Sequence, residues 1–96
     1  MTVYVDDMQL EAVVGPVDGV WSHLLSDLPG EAGHRELLEF AGRLGIEARW
    51  IQNPGTAKEH FDVTEPTRQR ALALGAVPIT YGRAVAAITR AKRDAS

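Results

Sequence analysis

The sequence predicts a small α/β domain of two or three layers. It has a mostly parallel sheet of three to four strands and about three helices, in the order β-β-α-β-α-β-α. Two observations carry this. Through the second half of the 96-residue chain, strand-like runs alternate with helical apolar stripes, the pattern of right-handed parallel crossovers. Glycines stand just past two of those stripes, at Gly45 and Gly75, where a helix end favours a left-handed residue.

Taken in order, Thr2 to Asp6 reads as a strand, with Val3 and Val5 on one face and Tyr4 on the other. Residues 9–19 read as irregular, with Gly15-Pro16 and Asp18-Gly19 as turn signals. Val20 to Ser26 alternates as a second strand, placing Trp21, His23 and Leu25 on one face. The first helix is expected from Gly33 to Leu44, because Leu37, Phe40, Ala41 and Leu44 form an i, i+3, i+4, i+7 stripe. Ile46 to Gln52 follows as a third strand, and Asn53-Pro54-Gly55 opens a loop reaching Asp62. Thr64 is placed to cap the second helix, with Glu65 and Pro66 in its first turn. Ala76 to Thr80 reads as a short buried strand. Thr80 then caps a third helix whose stripe is Ala84, Ala87, Ile88 and Ala91. With no repeat, low-complexity segment or linker, residues 1–96 form a single domain.

Composition narrows the function classes. The chain is 45% hydrophobic and 24% charged, as ordinary globular proteins are. It has no cysteine, which excludes disulfides, thiolate metal sites and a cysteine nucleophile. The segment from Met1 to Asp7 lacks the basic start and apolar run of a secretory signal. No apolar run approaches the roughly 20 residues that span a bilayer. A cytoplasmic protein with no membrane association is expected. Net charge is −3, with nine acidic and two basic side chains in residues 1–48, against four and eight in residues 49–96. The basic Arg90-Ala91-Lys92-Arg93 run reads as a solvated helix end that suits the macrodipole. No aromatic residues interleave it, so nucleic-acid binding is the least favoured reading. The chain carries no P-loop and no G-x-G-x-x-G or G-x-S-x-G run.

The residues that can carry chemistry are Asp6 and Asp7 after the first strand, His23 and Asp27 in and after the second, and His60 and Asp62 in the loop. In open α/β sheets ligands bind beyond the carboxyl ends of strands, and Asp6, Asp7 and Asp27 sit at such ends. Imidazole with carboxylate suits zinc or manganese, and carboxylates alone suit magnesium. The expected divalent-metal ligands are Asp6, His23, Asp27, His60 and Asp62, with His23, His60 and Asp62 as acid–base groups. Asp6, Asp7, Asp27, Lys58 and Arg68 are the expected ligand-binding residues, with Lys58 or Arg68 meeting a phosphate. Each has a structural alternative. Asp6 and Asp7 can end a strand, Asp27 can cap a turn, His23 can be a hydrogen-bonded core histidine, and His60 with Asp62 can tether the loop. His34 has no partner in sequence and reads as a solvated surface residue. Trp21 and Trp50 read as packing.

Five blocks in order carry a resemblance across nearly the whole chain. They are Val5-Asp6-Asp7, Trp21-Ser22-His23-Leu24 with Ser26-Asp27, Glu36-Leu37-Leu38-Glu39-Phe40-Ala41, His60-Phe61-Asp62-Val63 and Gly75-Ala76-Val77-Pro78. Together they resemble domain-of-unknown-function family 4031, a small bacterial and phage domain. The resemblance implies that Asp6, His23, Asp27, His60 and Asp62 recur at its site. It also implies nucleotide or phosphoester business, since some actinobacterial relatives sit beside phosphohydrolase-like domains. Leu38 stands where many relatives carry histidine, and Leu28 to Arg35 is a few residues longer than usual.

Two function classes follow. One is a metal-assisted hydrolase or transferase acting on a phosphate-containing small molecule. The other is a non-catalytic ligand- or protein-binding module with a structural histidine–aspartate network. A 96-residue monomer has little room to enclose a substrate, so the enzyme reading favours a homodimer.

Overall fold

The structure is a computed structural model and describes residues 2–14 and 16–95. Five strands and three helices are arranged as β1 (Val3–Asp6), β2 (Leu10–Val14), β3 (Val17–Ser26), α1 (Gly30–Arg43), β4 (Phe61–Thr64), α2 (Glu65–Ala73), β5 (Val77–Ile79) and α3 (Arg83–Ala95), with a 3₁₀ turn at Ala48–Trp50. The α/β class holds, but the sheet is not mostly parallel and has five strands. β1, β2 and β4 all pair β3 antiparallel, and β1 with β5 is the parallel pair.

The reason lies in one strand. Leu24 pairs both Val5 and Phe61, and Trp21 pairs both Leu10 and Thr64. So β1 and β2 share one edge of β3 in succession, and β4 takes the other. β1, β2, β4 and β5 run in one direction, and β3 alone is reversed between them. Helix α2 makes the crossover that the strand–helix alternation predicts, from β4 to β5, but it passes over β3 and β1 instead of joining neighbours.

Other expectations are corrected locally. Residues 9–19 are not irregular; they hold β2 and the start of β3, while Gly15 of the expected turn lies outside the described residues. That hairpin is legible only weakly because Leu10, Val13 and Val17 are exposed, so no apolar face marks it. Its ladder is reinforced by the Trp21 indole, which donates to the Ala12 carbonyl at 2.9 Å. The expected strand from Ile46 to Gln52 is the 3₁₀ turn and one bridge from Gln52 to His60. Glu47 closes that turn by accepting from both Arg49 Nε and the Trp50 indole at 3.1 Å. The expected loop ends in β4, which four alternating residues suffice to form. β5 is an edge strand with Val77 and Pro78 exposed, not a buried one, and an edge is where proline fits.

The C-terminal ends of α1 and α2 follow the sequence closely, while α1 begins at Gly30, ahead of the expected Gly33. Gly45 N–H donates to Gly42 O, and Ile46 N–H to Ala41 O; Gly75 and Ala76 repeat this on Leu72 and Ala71. Both are Schellman caps, with Gly45 at φ 77° and Gly75 at φ 104°. Thr64 is the residue before α2, but its hydroxyl makes no capping bond and donates to the Thr67 hydroxyl at 3.1 Å; α3 begins at Arg83, so Thr80 does not cap it. In α3 the inward stripe is rotated: Ala84, Ile88 and Lys92 turn inward, whereas Ala87 and Ala91 are exposed.

Alternation assigns the layers. Val3, Val5, Leu24, Phe61 and Val63 share one face of the sheet and form the core with Leu37, Phe40, Ala41 and Leu44 of α1 and Ala71 of α2. Tyr4, Asp6, His23, Leu25 and Asp62 share the other face, which α3 flanks. None of the described helices is long and apolar enough to cross a membrane.

Leu37 is fully buried, so Leu37→Ala should cost about 2–5 kcal/mol in chemical denaturation. A Cβ at Gly33, in the first turns of α1, would collide with the Leu28 carbonyl oxygen. Gly33→Ala should therefore destabilise by about 1–3 kcal/mol by overpacking, although alanine is the better helix former. A neutral or stabilising result would show that the Leu28 turn does not press on the helix.

Candidate metal centre and cleft

Between β1 and β2 the pairing on β3 shifts by two residues, from Val5↔Leu24 to Leu10↔Trp21. This bulge removes the backbone partner that His23 N–H would otherwise find. Asp6 fills the gap. Fully buried, its Oδ1 accepts from His23 N at 2.9 Å and Met8 N at 3.2 Å, and its Oδ2 lies 2.6 Å from His23 Nδ1. Burial alone would raise its pKa; the His23 ring and the His23 and Met8 amides outweigh that and hold the carboxyl below its ordinary value.

A carboxylate only accepts, so His23 Nδ1 carries the hydrogen and the Nε2 lone pair points away from Asp6. Directly across β4 stands Asp62, paired with His23 in register. Two residues before it, His60 is held by its Nδ1, which donates to the Lys58 carbonyl at 2.7 Å. His60 Nε2 lies 3.4 Å from Asp62 Oδ1, and His23 Nε2 lies 4.0 Å from the same oxygen. The two rings meet edge to face, centroids 4.9 Å apart. One ligand atom from each of His23, His60 and Asp62 lies within 4.8 Å of the others. Burial pushes the His60 pKa down, but its bonds to Asp62 and the Lys58 carbonyl and the charge of Asp6 prevail, and it stands above its ordinary value. Once His60 Nε2 gives up its proton, it joins His23 Nε2 and Asp62 Oδ1 as a third acceptor.

This cluster lies at the wall of a cleft of about 510 Å³ between the sheet and α3, a size typical of small-molecule sites. His23, His60, Lys58 and Tyr81 line it, with one face of α3 opposite. Tyr81 stacks on His23 at 5.4 Å and is half exposed. Asp7 positions that turn by accepting from Tyr81 N–H at 2.6 Å.

Of the sequence candidates, Asp6, His23, His60 and Asp62 come together. Asp27 does not; it sits at the end of β3, four residues beyond His23, and accepts from Thr2 N–H at 2.9 Å. Arg68 turns to the back of the bulge, donating to the Asp6 carbonyl at 2.8 Å, and does not line the cleft. His34 is not a free surface residue. Its Nδ1 donates to the buried Glu59 at 2.6 Å, and Glu59 also accepts from Gly55 N–H at 2.8 Å. Lys92, read as part of a solvated end, is buried and donates to the Ser26 carbonyl at 2.9 Å. Burial lowers its pKa against the opposing pull of Glu59 and Asp27. Arg90 and Arg93 line the cleft. Their signal in sequence was spacing: three apart, they share a helical face from which Lys92 diverges.

The chain is thus a small α/β domain in which two imidazoles fixed through Nδ1 and a carboxylate converge beside a cleft. Residues 3–92 match the family described as protein of unknown function DUF4031, and the chain belongs to it. No curated protein and no solved structure matches the chain.

The hydrogen bond to Glu59 raises the His34 pKa above its ordinary value, against a smaller effect of burial. A raised folded-state value gives stability that is complete below the unfolded value of about 6.5 and is lost as pH rises through the folded one. The stability difference between wild type and His34→Gln should therefore shrink between pH 6 and pH 9. Denaturation curves at both pH values check this; an unchanged difference would mean that His34 is not charged in the fold.

Proposed function

We propose that the chain is a metal-dependent hydrolase or transferase acting on a phosphate-containing small molecule, with His23, His60 and Asp62 as the metal ligands. One observation carries the reading: both imidazoles are locked through Nδ1, so that both Nε2 atoms and Asp62 Oδ1 face a common point beside a cleft. Fixing the distal nitrogen on a carboxylate or a carbonyl is how metal-binding histidines are oriented. Two nitrogens and one oxygen suit zinc or manganese better than magnesium, and three protein ligands leave positions for water and substrate. An ion there supplies a Lewis acid and a water of lowered pKa. The chain's own groups do the rest. Asp6 holds His23 in one tautomer, Lys58 brings a cation to the same cleft for the phosphate, and Tyr81 flanks the entrance beside His23.

Calorimetric titration of metal-free protein with zinc and with manganese should show one ion per chain. His60→Ala should abolish binding, and Asp6→Asn should weaken it about 10–100-fold. Saturating ion should raise the wild-type melting temperature, since a hundredfold excess over Kd adds about 2.7 kcal/mol. If wild type binds no ion, or His60→Ala binds equally well, the hydrolase reading falls and a ligand-binding module takes its place.

A further inference from the structure

We propose that Arg90 and Arg93 of α3 form an anion subsite at the opposite end of the cleft from Tyr81. It would hold the phosphate of an organic phosphate whose apolar or aromatic body lies toward His23. This deepens the function proposed above and rests on it for which end reacts.

The argument starts from helical geometry. Gly82, Val85, Ala86, Thr89, Arg90 and Arg93 all line the cleft, and their spacing of three and four places them on one stripe. Lys92 lies off that stripe, buried and bonded to the Ser26 carbonyl. The basic run is therefore divided: one cation anchors α3 to the sheet, and two face the cleft. The chain carries a net charge of −3, yet α3 turns Arg90 and Arg93 to the cleft, which Lys58 also lines. The acid among the lining residues, Glu59, is engaged by His34 and Gly55 N–H.

Position along the helix separates the subsite from the metal ligands. At 1.5 Å per residue, Arg90 stands about 12 Å and Arg93 about 16.5 Å along the axis from Gly82. Tyr81, at the start, is stacked on His23. Between the ends lie Leu25, Val85 and Ala86, which are apolar. The cleft thus offers a cationic end, an apolar middle and an aromatic ring beside the imidazoles. Two guanidinium groups one turn apart match the oxygens of a phosphate. A phosphate ester with a flat apolar body fits that sequence of surfaces, its phosphate serving as a handle and not as the group at the imidazoles.

Adenosine 5′-monophosphate is the probe, with adenosine and inorganic phosphate as its two halves, each titrated calorimetrically into metal-free full-length protein at low ionic strength. The nucleotide should bind at least about tenfold more tightly than either half, and Arg90→Gln/Arg93→Gln should lose at least about tenfold of that affinity. Neither arginine belongs to the histidine–aspartate cluster, so the double variant should keep the wild-type zinc affinity. The proposal is overturned if wild type does not bind the nucleotide, or if the double variant binds it as well as wild type does. A wild type that binds the nucleotide through the arginines but takes up no zinc supports the subsite and sinks only the metal reading.

Discussion

The carboxylate of Asp6 is the group on which the site and much of the sheet depend. The two-residue shift between β1 and β2 leaves amide groups of β3 and of the bulge without ladder partners. A buried unpaired amide costs about 1–3 kcal/mol. One aspartate satisfies two of them and uses its remaining oxygen to orient His23. The same group therefore closes a defect in the sheet and sets the tautomer of an imidazole. Arg68, on α2, binds the Asp6 carbonyl from behind, so the helix on the core side braces the bulge that serves the opposite face.

The reversed strand β3 divides the labour between the two faces. Because β3 meets β4 antiparallel, His23 and Asp62 stand directly opposite on one face while Leu24 meets Phe61 on the other. Cross-strand partners bring their Cβ atoms about 4.5–5.5 Å apart. Thus the register that packs Phe61 and Leu24 into the core delivers the imidazole and carboxylate to each other. A slip of one residue would exchange the two sets, so core burial enforces the site geometry.

Buried charges brace the cleft. Glu59 ties the turn at Gly55 to His34 on α1, and the next residue in the chain is His60. Lys92 fastens α3 to the end of β3. No residue of α3 joins the hydrophobic core, whereas the sheet that forms the other wall is packed on it. This suits a helix that must keep one face open.

Local rules made a good part of this legible. The stripe of α1 and the glycine caps after α1 and α2 follow from short-range spacing and dihedral preference, and they stand as expected. Asp6, His23, His60 and Asp62 were recognisable as chemistry-bearing residues by type and by the blocks that contain them. What the chain alone did not settle was strand direction, since a hairpin with exposed apolar residues looks like a loop until a neighbour pairs it. Nor did it settle long-range partners: Glu59 for His34, the Ser26 carbonyl for Lys92, the Asp6 carbonyl for Arg68, and the separation of Asp27 from the site. Each of these pairs spans 25 or more residues or depends on the β3 register. Sequence by itself determined the elements whose hydrogen bonds are local. Tertiary structure decided the rest, because a carboxylate or ammonium leaves water only where the fold brings it a partner.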